Sequence, residues 1–442
     1  MKPMTPALRE SLLTVFFSAV VLLLAIACHG GGFLHWESSA FLLNYTADRP
    51  LPAIIFDPLR NDWGLYQCRE LSYFFDYLDA QIIYMLLKSG VCWFVSCSAI
   101  LFSLLGLWFQ QYAGRLLFPR LPGIFFTLHG VALALLPAIA GSIFFRSSKF
   151  AVFAGLTFLI FGTALKCIRN KTVFSSNISC CLAAFITVFA DRQGVYFVTA
   201  FTGILAVMQL FDHRRVFIRI IRLCGAAVVV GVIADLWIMP WIIQVINHYQ
   251  VDFSYQGSFS VDSSLFFKGL RFFFANCGHA FAGQMTIVSA AAAGILFLFV
   301  SALLLLKKKH FPFWLFPGSA VTAVICCGIM VLRHPPLLHE DIIFSNYFLP
   351  SAAMLTFFYF AALENLPERL RKFCWLVPLL TLVFRLYPYL HTEMLCREDK
   401  YQKVYQDATV KLKQAVENPG KNKIPPLIPY RMEKLLEKLN HK

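Results

Sequence analysis

The chain has 442 residues, of which 58% are hydrophobic and only 14% charged, and its mean hydropathy is +0.65. Soluble domains carry roughly 25% charged residues, so the composition excludes a soluble globular enzyme and indicates a polytopic all-α membrane protein. The net charge of +15 is a topology signal, with no nucleic-acid partner implied, because Lys and Arg in so apolar a chain gather in loops on one side of the membrane.

Apolar runs long enough to span a bilayer fall near 11–28, 91–111, 123–145, 150–168, 176–190, 194–211, 222–246, 284–306, 312–332, 346–363 and 373–390, which predicts about eleven transmembrane helices. The first run follows Lys2 and Arg9, and no clean small-x-small cleavage site marks it as a signal peptide, so it reads as an uncleaved span. Loops on the amino-terminal side are basic, with Arg115, Arg120, Lys166, Arg169, Lys171, Arg214, Arg215, Arg219, Arg222, Lys307 to Lys309, Arg369, Arg371 and Lys372. The positive-inside rule then puts the amino terminus in the cytoplasm and the carboxyl terminus outside a plasma or inner membrane. Arg146 and Lys149, in a short outer turn, are the main exception.

The first outer loop, 29–90, carries seven acids against four bases. Within it Leu71, Phe74, Phe75, Leu78, Ile82 and Met85 or Leu86 recur at helical spacing, with Glu70, Tyr73, Tyr77, Gln81 and Lys88 on another face. Such an amphipathic juxtamembrane helix lies in the interface plane, holding its acids just above the lipid head groups. Asp62 and Glu70 are candidate general bases, able to deprotonate an acceptor hydroxyl or amine. Arg69, Tyr66, Tyr73 and Asp76 line the acceptor side of the same stretch; solvation of an exposed loop is the alternative use of these acids.

Further along, Ala190-Asp191-Arg192-Gln193-Gly194 sits between two apolar runs on the outer side. Its guanidinium could grip phosphate oxygens bidentately, or the two charges could simply pair across a tight turn. Asp235 lies within the seventh run, where an ionisable group marks either ion coupling in a transporter or an interhelical hydrogen bond. Lys268 and Arg271 stand among phenylalanines, a setting that suits a lipid-linked phosphate or plain membrane anchoring. Arg333 and His334 open a charged loop that closes on Asn346-Tyr347-Phe348-Leu349-Pro350. The tail, 391–442, is polar and helical, an extracytoplasmic appendage with eleven bases and seven acids that buries little core alone. The thirteen cysteines fall largely inside apolar runs, with only Cys68, Cys277 and Cys396 clearly in outer segments, and no C-x-x-C pair has zinc-type spacing. Nucleotide-binding and hydrolase motifs of the G-x-x-x-x-G-K-[ST] and G-x-S-x-G kinds are missing.

Over residues 1–390 this arrangement resembles the fold-C glycosyltransferases, membrane enzymes that take a sugar from a polyprenyl-phosphate or polyprenyl-diphosphate donor outside the cytoplasmic membrane. The segment Asn61-Asp62-Trp63-Gly64-Leu65-Tyr66 is similar to that family's acidic motif, except that Asp62 has no acidic neighbour. The resemblance implies that Asp62 or Glu70 activates a lipid, glycan or protein acceptor. Asp191 would then be the second outer carboxylate, and Arg192, Lys268, Arg271, Arg333 and His334 would hold the donor phosphate. It requires no cofactor and leaves room for a divalent metal. A transporter or lipid-linked saccharide flippase, and an O-antigen polymerase or ligase, are the competing readings. Transporters, however, place their charges near the midplane and repeat their halves.

Overall fold

The computed structural model describes residues 5–28, 36–46, 48–56, 69–135, 147–169, 177–211, 215–248, 345–391, 400–417 and 430–440, with residue 250 and scattered positions from 264 to 326. The described residues form helices and turns, and no strand occurs among them. In chain order the helices are α1 (Pro6–Cys28), α2 (Trp36–Tyr45), α3 (Leu51–Ile55), α4 (Glu70–Lys88), α5 (Cys97–Leu117), α6 (Gly123–Ala134), α7 (Ser148–Arg169), α8 (Asn177–Ala190), α9 (Arg192–Phe211) and α10 (Arg215–Ile233). A π-helical turn (Ala234–Ile238) joins α10 to α11 (Met239–Asn247), and α12 (Ser345–Glu364), α13 (Glu368–Arg371), α14 (Leu376–His391), α15 (Lys400–Glu417) and α16 (Tyr430–Asn440) complete the chain.

Among the described residues four helical stretches are long and apolar enough to cross a membrane: Pro6–Cys28, Ser148–Cys167, Arg192–Leu210 and Val216–Asn247. Nine of the eleven expected spans fall on helices, while those at 284–306 and 312–332 lie almost wholly outside the described residues. Helix α5 has the length to cross but carries Gln110 and Gln111, both buried, in its middle. The helices α6, α8 and α12 are apolar over shorter lengths.

The ion pairs set the direction of each helix. Arg115, near the end of α5, bonds Glu10 at the start of α1 at 2.6 Å and reaches the hydroxyls of Thr14 and Thr127, so these three helices meet at the amino-terminal end. Arg120 and Glu364, 4.0 Å apart, bring the end of α12 there too. The starts of α5, α7 and α9 and the ends of α8 and α10 therefore gather at the far end.

At the centre stands α7, which packs on α5, α8 and α12. Its apolar window is 83% buried, against 28% for both α1 and the α10–α11 rod, so α7 is the inner post and the other two face lipid. Without a hydrophobic force between helices in lipid, close packing needs small residues. Around Thr187 and Val188 of α8 those residues are Gly155 of α7, Gly194 of α9 and Gly231 of α10. A Cβ on Gly194 would lie 1.9 Å from the Thr187 carbonyl oxygen, and Cβ atoms on the other two would lie 2.1 and 2.2 Å from α8 side chains.

A second, smaller core lies beyond the far end. Phe41, Leu42 and Tyr45 of α2, Tyr73, Ala80, Ile83 and Leu87 of α4, Ile243 of α11, and Ala408, Leu412, Leu435 and Leu436 of the tail helices are buried together in it. The tail thus builds its core jointly with the first loop. Lys438 extends over the Tyr84 ring and donates to the Thr46 carbonyl, and Lys413 lies over Phe94. The outward face of α4 shows Phe74, Leu78 and Met85, in keeping with the expected amphipathic helix. Its acids, however, are turned inward rather than held above the head groups.

Gly194→Ala is expected to destabilise the protein by more than about 2 kcal/mol, since backbone rather than a movable side chain blocks the new methyl. Thermal unfolding in detergent would show a clearly lower midpoint than for Gly162→Ala, where nothing lies within 4 Å of the added carbon.

Candidate active site at the far end of the bundle

Helix N-termini leave backbone N–H groups without acceptors and carry partial positive charge. At the far end three carboxylates meet this need. Asp79 of α4 accepts from the Ser98 backbone at 3.0 Å and from the hydroxyls of Ser96 and Ser98, where α5 begins. One turn earlier, Asp76 accepts from the Ser147 backbone at 3.1 Å and its hydroxyl at 2.9 Å, at the start of α7. Asp191 accepts from the Gln193 backbone at 2.9 Å and so caps α9. Burial pushes the Asp79 carboxyl up in spite of its serine bonds. Ser72, also on α4, donates to the Ala190 carbonyl and pins α4 to the end of α8.

Asp191 is 1% exposed and holds two cations besides its cap. Lys149 Nζ donates to Oδ1 at 2.8 Å, and Arg69 Nε lies 3.3 Å from Oδ2. Burial alone would raise this carboxyl, but Arg69, Lys149 and the Gln193 N–H outweigh burial and hold Asp191 well below the usual carboxylate range. Its sequence neighbour Arg192 turns the other way and donates from Nη2 to Asp235 Oδ1 at 2.7 Å. Of the two readings of this stretch, a pairing of Asp191 with Arg192 across the turn does not occur: each takes a charged partner from elsewhere in the fold.

Asp235, expected within the seventh apolar run, stands in the π-helical turn of one continuous rod. The continuous rod Val216–Asn247 has 32 residues, about 48 Å at 1.5 Å per residue, well beyond a hydrocarbon core of about 30 Å. The π turn that carries Asp235 comes late in the rod, level with the start of α9. Trp237 and Trp241, one turn apart and each 63% exposed, follow directly, the side-chain type that anchors helices at a membrane interface.

Glu70 opens α4 beside these pairs and caps no helix. Its Oε1 is buried and accepts no hydrogen bond among the described residues. Burial, followed by the negative charge of Asp235, lifts its carboxyl to about 7, while its own backbone N–H and Arg192 oppose the rise. A carboxyl poised there can exchange a proton at neutral pH.

Of the residues singled out from sequence, Arg69, Glu70, Asp191 and Arg192 come together at this end. Tyr73 and Asp76 lie on the same helix and are buried, Tyr73 in the smaller core and Asp76 as a cap. Asp62, Tyr66, Lys268, Arg271, Arg333 and His334 lie outside the described residues. Lys149 was missed, although its exception to the positive-inside rule was the available signal: a lysine buried on a carboxylate does not report topology. Among the described residues no group of three or more His, Cys, Asp or Glu side chains could hold a metal ion, and Asp76, Asp79 and Asp191 are occupied as caps.

No known family model matches the chain, and no curated protein matches it in sequence.

Asp191→Asn keeps the cap's acceptor but strands two buried cations, which is expected to cost about 3–5 kcal/mol. The lowered pKa of Asp191 makes its contribution complete above the unfolded value of 3.8 and lost as pH falls toward the folded value. Chemical denaturation in detergent should therefore show a constant gap between wild type and variant from about pH 5 to pH 8, narrowing below about pH 4.

Proposed function

We propose that the protein is a fold-C membrane glycosyltransferase that moves a sugar from a polyprenyl-phosphate or polyprenyl-diphosphate donor to a lipid, glycan or protein acceptor at the outer face. The observation that carries this reading is Glu70: a carboxyl near neutral pKa, free of any capping duty, beside an arginine at the mouth of a membrane bundle. The finer topology belongs to the same proposal: eleven spans, the amino terminus cytoplasmic, and the carboxyl terminus outside a plasma or inner membrane.

In this mechanism ionised Glu70 takes the proton of the acceptor hydroxyl or amine. The acceptor atom attacks the anomeric carbon from the face opposite the lipid phosphate, the carbon–oxygen bond to that phosphate breaks, and configuration inverts. The departing phosphate carries the electron pair away as negative charge, which Arg192, with Lys268, Arg271, Arg333 and His334, would stabilise; such stabilisation is commonly the largest catalytic contribution. Arg69 and Lys149 are both bound to Asp191, and Arg192, the cation whose charge bears on Glu70, is the described one assigned to the donor. Burial and a raised pKa support Glu70 as the base.

Glu70→Gln is expected to lower sugar transfer in proteoliposomes by at least about 100-fold, with membrane insertion unchanged, while Asp62→Asn retains most activity. A base must be ionised to act, so kcat/KM should rise with pH, bend near 7 and then level off. The opposite result for the two variants would move the base to Asp62, and full activity in both would overturn the enzyme reading.

A further inference from the structure

Arg69 and Ser72, on either side of Glu70, bond Asp191 and the Ala190 carbonyl, which brings Glu70 beside Arg192, and each of these two residues carries a buried atom with no hydrogen-bond partner among the described residues. Arg192 spends Nη2 on Asp235, but its Nε is buried with no acceptor among the described residues; Glu70 Oε1 is buried with no donor. The ion pair of Arg192 and Asp235 is itself partly covered, at 15% and 23% side-chain exposure. A π turn in place of continuous α-helix puts Asp235 at that spot, and such irregular turns within helices are often found at functional sites.

We propose that Asp235 is a positioning residue for Glu70 and acts through Arg192. In the arrangement seen, Asp235 holds the guanidinium; when Glu70 gives up its proton, Arg192 spans both carboxylates, with Nη2 on Asp235 and Nε on Glu70. Asp235 thereby sets how much of the Arg192 charge reaches the base. This rests on the assignment of Glu70 as the base for its catalytic meaning, but the charge sharing itself can be tested without any sugar transfer.

Among the described residues, the charges that act on Glu70 come from two elements. From α9 it feels Arg192, from the π turn Asp235. Arg69, one position back, is held with Lys149 on Asp191. The helices α5 and α7, which α4 also touches, present serines that are bonded to Asp79 and Asp76. Removing the Asp235 charge therefore acts on Glu70 in two ways that share a sign: it removes a repelling anion, and it frees a cation. Only the second depends on Arg192.

Dicyclohexylcarbodiimide adds to protonated carboxyl groups in apolar surroundings, so the fraction of Glu70 labelled, read by peptide mass spectrometry across pH 5 to 9, reports its protonation; Glu70→Gln identifies the adduct. Wild type is expected to lose labelling with a midpoint near 7. Asp235→Asn should move that midpoint down by at least one pH unit, about a tenfold change in protonation equilibrium, and Asp235→Glu should restore it. Arg192→Gln should move it up. In the double variant, Asp235→Asn should shift the midpoint by less than a third of its effect in the presence of Arg192. An equal shift with and without Arg192 would overturn the proposal, because the effect would then be simple repulsion. Should Asp235→Asn fail to fold, an unchanged midpoint in Arg192→Gln alone overturns it. Normal labelling behaviour in a protein without transferase activity would sink the enzyme reading and leave the charge sharing standing; full activity with no change of midpoint in any variant would do the reverse.

Discussion

Seating carboxylates on helix N-termini is what brings the far end of this bundle together. One crossing helix, α4, supplies Asp76 and Asp79 to the starts of α7 and α5, and the hairpin between α8 and α9 supplies Asp191 to its own second helix. Each acid satisfies donors that would otherwise be orphaned and meets the positive end of a helix dipole. Together with the Ser72 bond to the Ala190 carbonyl and the Arg69 pair with Asp191, the Asp76 and Asp79 caps attach α4 to the bundle and so fix the position of Glu70. The proposed base is placed by acids that do no chemistry themselves.

Below that layer the packing changes character. The buried face of α1 runs Ser11, Thr14, Ser18, Leu22, Ile26, small and hydroxylated toward the amino-terminal end, and its hydroxyls return to carbonyls a turn earlier or to a neighbouring threonine. Phe118, Phe125, Phe126, Phe161, Phe357 and Phe360 interlock edge to face at that same end. Lipid tails are as apolar as these side chains, so contact quality rather than exclusion of water holds the helices here.

Much of this was legible in the sequence where a local signal carries the information. Runs of apolar residues marked nine helices, the periodicity from Leu71 to Met85 marked α4, and the charges at Glu70, Asp191 and Arg192 stood out against an apolar background. Partners were not legible, because they come from helices distant in the chain: Lys149 finds Asp191 at a separation of 42 residues, and Arg192 finds Asp235 at 43. A hydropathy window also counts Asp235 as mid-span, since it detects neither a π turn nor a rod longer than the membrane is thick. The acids of α4 misled for a related reason. Asp76 and Asp79 resemble solvated loop charges until the helix starts they cap are brought beneath them.

The smaller core has a consequence for how the chain is made. Phe41, Leu42 and Tyr45 leave the ribosome among the first fifty residues, yet the side chains that cover them include Leu435 and Leu436, and the Lys438 bond to the Thr46 carbonyl closes a separation of 392 residues. If synthesis runs at about 5–20 residues per second, the first loop waits tens of seconds, through the insertion of every later span, with an apolar surface uncovered. Helix α16 therefore completes a layer that α2 begins, and a chain interrupted before α16 would insert the spans that precede it and still leave the smaller core unfinished.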